Sequence, residues 1–353
     1  MYFKDVFAQE PLKERLRAYA DKRNFPHALL LSEAAPHGAF PLALAFARYL
    51  NCLHPTPSDA CGSCPACKKF DNLAHPDLLF VFPIAKRSNA SLCNDFLPTW
   101  RSFIAQSPYF DFDAWRLTLD AANAHLHIFA AEANHLLRAL ALKPAEARTR
   151  TVILWLPEKL QPEAANKLLK LIEEPPLNTL FLLISLNPDD ILPTIASRSQ
   201  RIHLPPIPIP PTAPELASAL DLQHQRFFDL FQSLMRNAYT RNLKNLKDWT
   251  DSLAASGREE QKHFLRYTQF MLRENFVFPL QLPSLSYLNE PETTFTRNFA
   301  PFISHRNVST LMDAFARAES DIDRNVNSRF VFFDLALKAI PLLLHPPPSA
   351  SRH

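Results

Sequence analysis

Four short runs of uninterrupted apolar residues, 28–31 (ALLL), 78–82 (LLFVF), 151–156 (TVILWL) and 179–185 (TLFLLIS), mark the first half of the chain. Unbroken hydrophobicity over so few residues signals strands buried on both faces, as in a parallel sheet covered by helices. Helical patterns lie between several of the runs, and the clearest spans 162–174. Pro162 suits a first helical turn, Ala165, Leu168, Leu169 and Ile172 form an apolar stripe, and Pro175-Pro176 stop it. Strand, helix and strand there predict a right-handed βαβ unit, and an α/β fold for about the first 205 residues.

The pattern changes at 205–214 (PPIPIPPTAP), which reads as an extended, semi-rigid linker and a domain boundary. Beyond it nearly everything reads helical: 214–236, 239–254, 258–275, 307–320 and 325–344. In the last of these Val326, Phe330, Phe333, Leu337 and Ile340 keep one apolar face over four turns. The closing HPPPSASRH has the composition of a disordered tail. The segment 86–125 is rich in aromatic residues (Trp100, Phe103, Tyr109, Phe110, Phe112, Trp115). Such side chains predict packing over the sheet in preference to stacking on single-stranded bases. There is no internal repeat.

Composition adds one unusual fact. The 353 residues are 47% hydrophobic and 21% charged, ordinary for a globular protein. No run is long enough to span a membrane, and MYFKDVFAQEPLKERLR lacks the apolar core of a signal peptide, so a cytoplasmic protein is expected. A net charge of +3 is too small to argue for nucleic acid. Glycine is the outlier: three residues, Gly38, Gly62 and Gly257, where average usage of roughly 7% would give about 25. A chain so poor in glycine has little means of building a phosphate cradle.

Cys52, Cys61, Cys64 and Cys67 follow a C-x8-C-x2-C-x2-C spacing. Four thiolates this close suit one tetrahedral zinc, with Zn–S bonds of about 2.3 Å, and leave no ligand position open, so the site is structural. Two disulfides or four unrelated buried thiols are the competing accounts, and disulfides are disfavoured where no export signal is present. Cys93 is left over and reads as a buried free thiol. Arg236, Arg241, Lys244 and Lys247 read as a solvated helix face. His125, His127 and His135 lack zinc-site spacing.

The stretch 32–40, SEAAPHGAF, lies where a phosphate loop would follow the first strand. A working loop needs several glycines, a lysine for the β/γ-phosphates and a Ser or Thr for magnesium. Only Gly38 remains, with Ala39 at the lysine position and Phe40 at the hydroxyl position. The third strand ends Trp155-Leu156-Pro157, where acidic residues would hold magnesium. The expectation is a chain that binds and hydrolyses no ATP.

These residues resemble a known family, the delta-prime subunit of the bacterial DNA polymerase III clamp loader, related to AAA+ proteins. The opening 3–10 (FKDVFAQE), Phe25-Pro26-His27-Ala28-Leu29-Leu30, the cysteine spacing, 166–176 (NKLLKLIEEPP), 193–199 (PTIASRS) and 323–327 (DRNVN) carry the resemblance. It covers most of 1–84, 126–205 and the C-terminal helix and is weak over 206–300, while 86–125 looks like an insertion. Ser199 stands where the family has cysteine, but Arg198 before it is kept. The resemblance implies an AAA+-like domain over 1–205 with its zinc module at 52–67, then an all-α lid over 206–255 and a helical collar over 256–353.

It further implies a non-catalytic member of a hetero-pentameric ring with the gamma/tau ATPase subunits and the delta subunit. That ring loads the sliding clamp onto primer-template DNA. Arg198 would be a trans arginine finger for a neighbour's nucleotide. The competing account of Arg198 is a helix cap or a partner for a surface carboxylate. The competing account of the chain is an ATP-hydrolysing gamma/tau-like subunit with a divergent phosphate loop.

Overall fold

The apolar runs become the strands of one five-stranded, all-parallel sheet in the order β2-β3-β4-β1-β5. The computed structural model describes residues 1–33, 38–87, 90–120, 125–205, 214–281 and 288–344, with backbone alone at 214–220, 259 and 344. Most of the proline-rich linker, all of the HPPPSASRH tail and part of the 32–40 loop therefore lie outside the described residues. The strands are β1 (Ala28–Glu33), β2 (Leu78–Val81), β3 (Arg150–Trp155), β4 (Thr179–Ser185) and β5 (Gln200–Leu204). Every residue of β1, β3 and β4 is buried, which is why their sequences do not alternate. The edge strand β5 does alternate, with only Ile202 and Leu204 buried. It was not among the expected strands, because two inward apolar residues give too short a signal.

Eight helices accompany the sheet among the described residues: α1 (Glu10–Lys22), α2 (Ala39–Asn51), α3 (Pro65–Asp71), α4 (Leu97–Gln106), α5 (Phe112–Thr118), α6 (Ala130–Ala141), α7 (Pro162–Glu173) and α8 (Pro193–Ala196). The predicted 162–174 helix is α7, joining the paired neighbours β3 and β4. Helix α2 is buried along nearly its whole length, and Phe40, Leu42, Leu44 and Phe46 belong to the domain core. The aromatic segment enters the same core: Trp100 and Trp115 are fully buried, and Trp115 Nε1 donates to the Pro83 carbonyl at 2.8 Å.

The chain divides into two compact units, Met1–Ala217 and Ser218–His353. Among its described residues the second carries helices and no strand: α9 (Pro214–Tyr239), begun in the first unit, then α10 (Leu243–Ala254), α11 (Arg258–Val277), α12 (Glu290–Phe299), α13 (Val308–Asp323) and α14 (Ser328–Leu344). One core running from Phe227 to Leu343 holds them. Helix α12 was not expected, since its sequence is mostly polar; an Asn289–Glu292 capping box starts it. A parallel α/β sheet followed by helices is the architecture the resemblance implied.

Candidate functional site

Cys52 lies just past the C-terminus of α2, Cys64 caps the N-terminus of α3, and Cys67 sits in its first turn. The intervening loop brings Cys61 back, so the four Sγ atoms lie within 4.8 Å of one another. None is in a disulfide, so the paired-disulfide account fails. Backbone N–H groups point at the sulfurs: Cys61 N–H to Cys52 Sγ at 3.2 Å and Cys67 N–H to Cys64 Sγ at 3.5 Å. The Cys64 backbone N–H holds the Cys61 thiol down to about 5. Burial pushes the Cys52 and Cys67 thiols up. Buried sulfurs that resist ionising alone, ringed by donors suited to thiolate, fit a divalent cation that would offset their desolvation.

The cluster's backbone is fixed by its surroundings. Gly62 has φ +75°, and a Cβ there would lie 2.9 Å from Tyr2 Oη. The Tyr2 ring in turn covers the Arg48 guanidinium at 4.0 Å, and Arg48 pairs with Asp71 at 2.5 Å. Asp59 accepts the Phe3 and Lys4 N–H groups at 3.2 and 2.9 Å, tying the N-terminal residues to the cysteine loop. Cys93 is a buried free thiol apart from the cluster's motif, donating to the Phe82 carbonyl at 3.2 Å.

The second candidate region is the start of α2. Strand β1 runs two residues further than the apolar run, through Ser32 and Glu33. Residues 34–37 lie outside the described residues. Gly38 is the N-cap of α2, and Ala39 and Phe40 form its first turn. Glu33 Oε2 accepts the N–H groups of Gly38 at 3.0 Å and Ala39 at 2.9 Å. Reading the sequence missed this contact, because Glu33 counted as a loop residue. The signal was there in principle: an acidic residue five positions before a helix N-cap.

The Phe40 ring meets Phe110 and Trp100 at centroid distances of 4.9 and 5.7 Å. Trp155, ending β3, meets the same two rings at 5.1 and 5.4 Å. The next carboxylate, Glu158, is turned inward to accept the Leu186 and Asn187 N–H groups at 3.0 and 3.2 Å, and burial raises its pKa.

Arg198 follows α8 on the surface. Its Nε pairs with Glu173 Oε1 at 2.7 Å, both side chains 41% exposed, and its Nη1 donates to the Thr194 carbonyl at 3.1 Å. Of the two accounts of this arginine, partnering a surface carboxylate is the geometry of the chain on its own. Arg236, Arg241, Lys244 and Lys247 are all exposed. No helix among the described residues is long and apolar enough to cross a membrane.

A family model described as DNA polymerase III, delta subunit, matches residues 8–208. DNA polymerase III subunit delta' of Escherichia coli is 27% identical over 184 residues, 52% of this chain and 43% of that protein. The subunit of the same name from Pseudomonas aeruginosa is 30% identical over 173 residues, 49% of this chain and 41% of that protein. DNA polymerase III subunit tau/gamma of Haemophilus influenzae is 25% identical over 255 residues, 72% of this chain and 31% of that protein. The chain spans less than half the length of these relatives.

Proposed function

The chain belongs to the DNA polymerase III delta-subunit family, and from that premise we propose that it is a non-catalytic, delta-prime-like subunit of the clamp loader. It would join gamma/tau ATPase subunits and the delta subunit in a five-membered ring that places a sliding clamp on primed DNA. Residues 206–255 would serve as the lid and 256–353 as the collar. One observation carries the non-catalytic part. Phosphoryl chemistry needs a lysine, a hydroxyl on magnesium and a carboxylate at the strand end. Those positions hold Ala39, Phe40 and Trp155, none more than 4% exposed. Buried aromatic rings offer magnesium no oxygen ligand.

A second reading, an ATP-hydrolysing gamma/tau-like subunit, draws on the tau/gamma relative that aligns over more of this chain than the delta' relatives do. The chemistry of Ala39, Phe40 and Trp155 favours the first. Arg198 would be the trans arginine finger. Its half-exposed pair with Glu173 belongs to a class worth about 0–1 kcal/mol, so a neighbour's γ-phosphate could displace the carboxylate.

Titration of ATP into the isolated chain should give no binding heat, and mixing with cognate ATPase subunits should produce a DNA-stimulated ATPase. In that complex Arg198→Ala should leave assembly intact and cut turnover at the site it serves by about 10³-fold or more. Unchanged turnover would remove the finger; micromolar ATP binding with turnover by the isolated chain would install the second reading instead. The four cysteines would hold structural zinc. Elemental analysis should find one zinc per chain, and Cys67→Ser should abolish it; zinc retained by that variant would point to other ligands.

A further inference from the structure

We propose that the nucleotide cleft is occupied by the chain itself, with the Glu33 carboxylate in place of a phosphate and the rings of Trp100 and Phe110 in place of the metal. The inference rests on the non-catalytic reading and supplies its physical basis. The first N–H groups of a helix have no intrahelical acceptor, and the helix dipole adds partial positive charge there. Phosphate-binding strand–loop–helix units use those donors for the ligand. At the start of α2 the Gly38 and Ala39 donors already meet a carboxyl oxygen, Glu33 Oε2, at 3.0 and 2.9 Å. Glu33 is 7% exposed, and a carboxylate so buried needs donors of this kind. Phosphate and Glu33 compete for the same two N–H groups, and the tethered competitor is always present at high effective concentration.

The other half of the cleft is closed by different residues. Phe40 and Trp155, at the two positions that would hold magnesium, are bridged by Trp100 and Phe110 through four ring contacts of 4.9–5.7 Å. Trp100 and Phe110 are 0% and 5% exposed. A hydrated magnesium–triphosphate would have to displace a packed aromatic cluster. The insertion 86–125 thereby gains a role: it supplies the apolar filling. With anion and filling built in, the domain keeps one state whatever the ATP concentration.

The test measures the thermal midpoint of the full, zinc-replete chain against added inorganic phosphate at constant ionic strength, then against magnesium–ATP. Wild type should respond to neither. Glu33→Ala should melt about 2–6 °C lower, and millimolar inorganic phosphate should restore at least about half of that loss. Magnesium–ATP should restore no more than phosphate does, because the aromatic filling remains. Glu33→Gln keeps the side chain's shape without its charge and should show the same phosphate response from a smaller initial loss, which secures the test if the alanine variant folds poorly. A phosphate response in wild type would overturn the proposal. So would indifference to phosphate in both variants, or a stronger response to magnesium–ATP than to phosphate. A chain that fails to join the ATPase complex whatever stands at position 33 would instead fail the subunit reading, leaving self-occupancy intact.

Discussion

The Asp77 carboxylate accepts three consecutive backbone N–H groups, from Ala145, Glu146 and Ala147, at 2.8–2.9 Å, and faces Arg150 at 3.5 Å. It thereby fastens the α6–β3 connection to the start of β2. Burial pushes this carboxyl up, but the three amides and then Arg150 more than reverse that, and its pKa falls below the usual 3.8. A carboxyl whose folded pKa is depressed stabilises the fold fully above its unfolded value and loses that contribution as pH falls through the folded one. Asp77→Asn should therefore cost about 2–3 kcal/mol near neutrality, the scale of hydrogen bonds to a charged group. In denaturant titrations the gap from wild type should close as pH drops below 3.8; a gap independent of pH would assign the loss to shape alone. Nothing in the sequence marks Asp77, whose donors lie 68–70 residues away. The convergence of the four cysteines was legible because their spacing is local.

At the scale of elements, the aromatic segment was legible as something that packs, but not as what it packs on. Trp100 stacks on Phe82 at 4.2 Å and reaches Trp115 and Trp155, contacts set by long-range topology. Its indole Nε1 has no hydrogen-bond partner among the described residues. Trp100→Ala should cost about 3–5 kcal/mol, as truncating a buried aromatic residue does. Trp100→Phe should cost much less, because it also removes a buried donor without a partner. Comparable losses in the two variants, by chemical denaturation, would show that the indole N–H is satisfied after all. Strands β1, β3 and β4 were readable because burial on both faces writes itself as an apolar run. β5 and α12 were not, since β5 buries only two side chains and α12 is defined more by its cap than by a stripe.

At the scale of the whole molecule, α14 poses the question of what covers it. The expected apolar face included Val326, Phe330 and Leu337, yet these are 44%, 75% and 40% exposed, Val326 lying just before the helix. The face turned into the core is a different one, formed by Val331, Phe332, Leu335, Ala336, Ala339 and Leu343. The exposed side of α14 sets Phe330 and Leu337 beside the Lys338–Asp334 ion pair at 2.5 Å, an apolar anchor on a charged face. Under the clamp-loader reading, a neighbouring subunit's collar would cover this side. Phe330→Asp then separates folding from assembly. A substitution at so exposed a position should shift stability by no more than about 0.5 kcal/mol. If a neighbouring collar covers this side, an unpaired carboxylate at position 330 should cost several kcal/mol of association. The variant should melt like wild type yet elute apart from the ATPase subunits in size-exclusion chromatography, and its mixture should show no DNA-stimulated ATPase. If it co-elutes and supports wild-type turnover, the exposed face of α14 lies outside the ring interface, and the collar contact must be sought on another helix of the second unit.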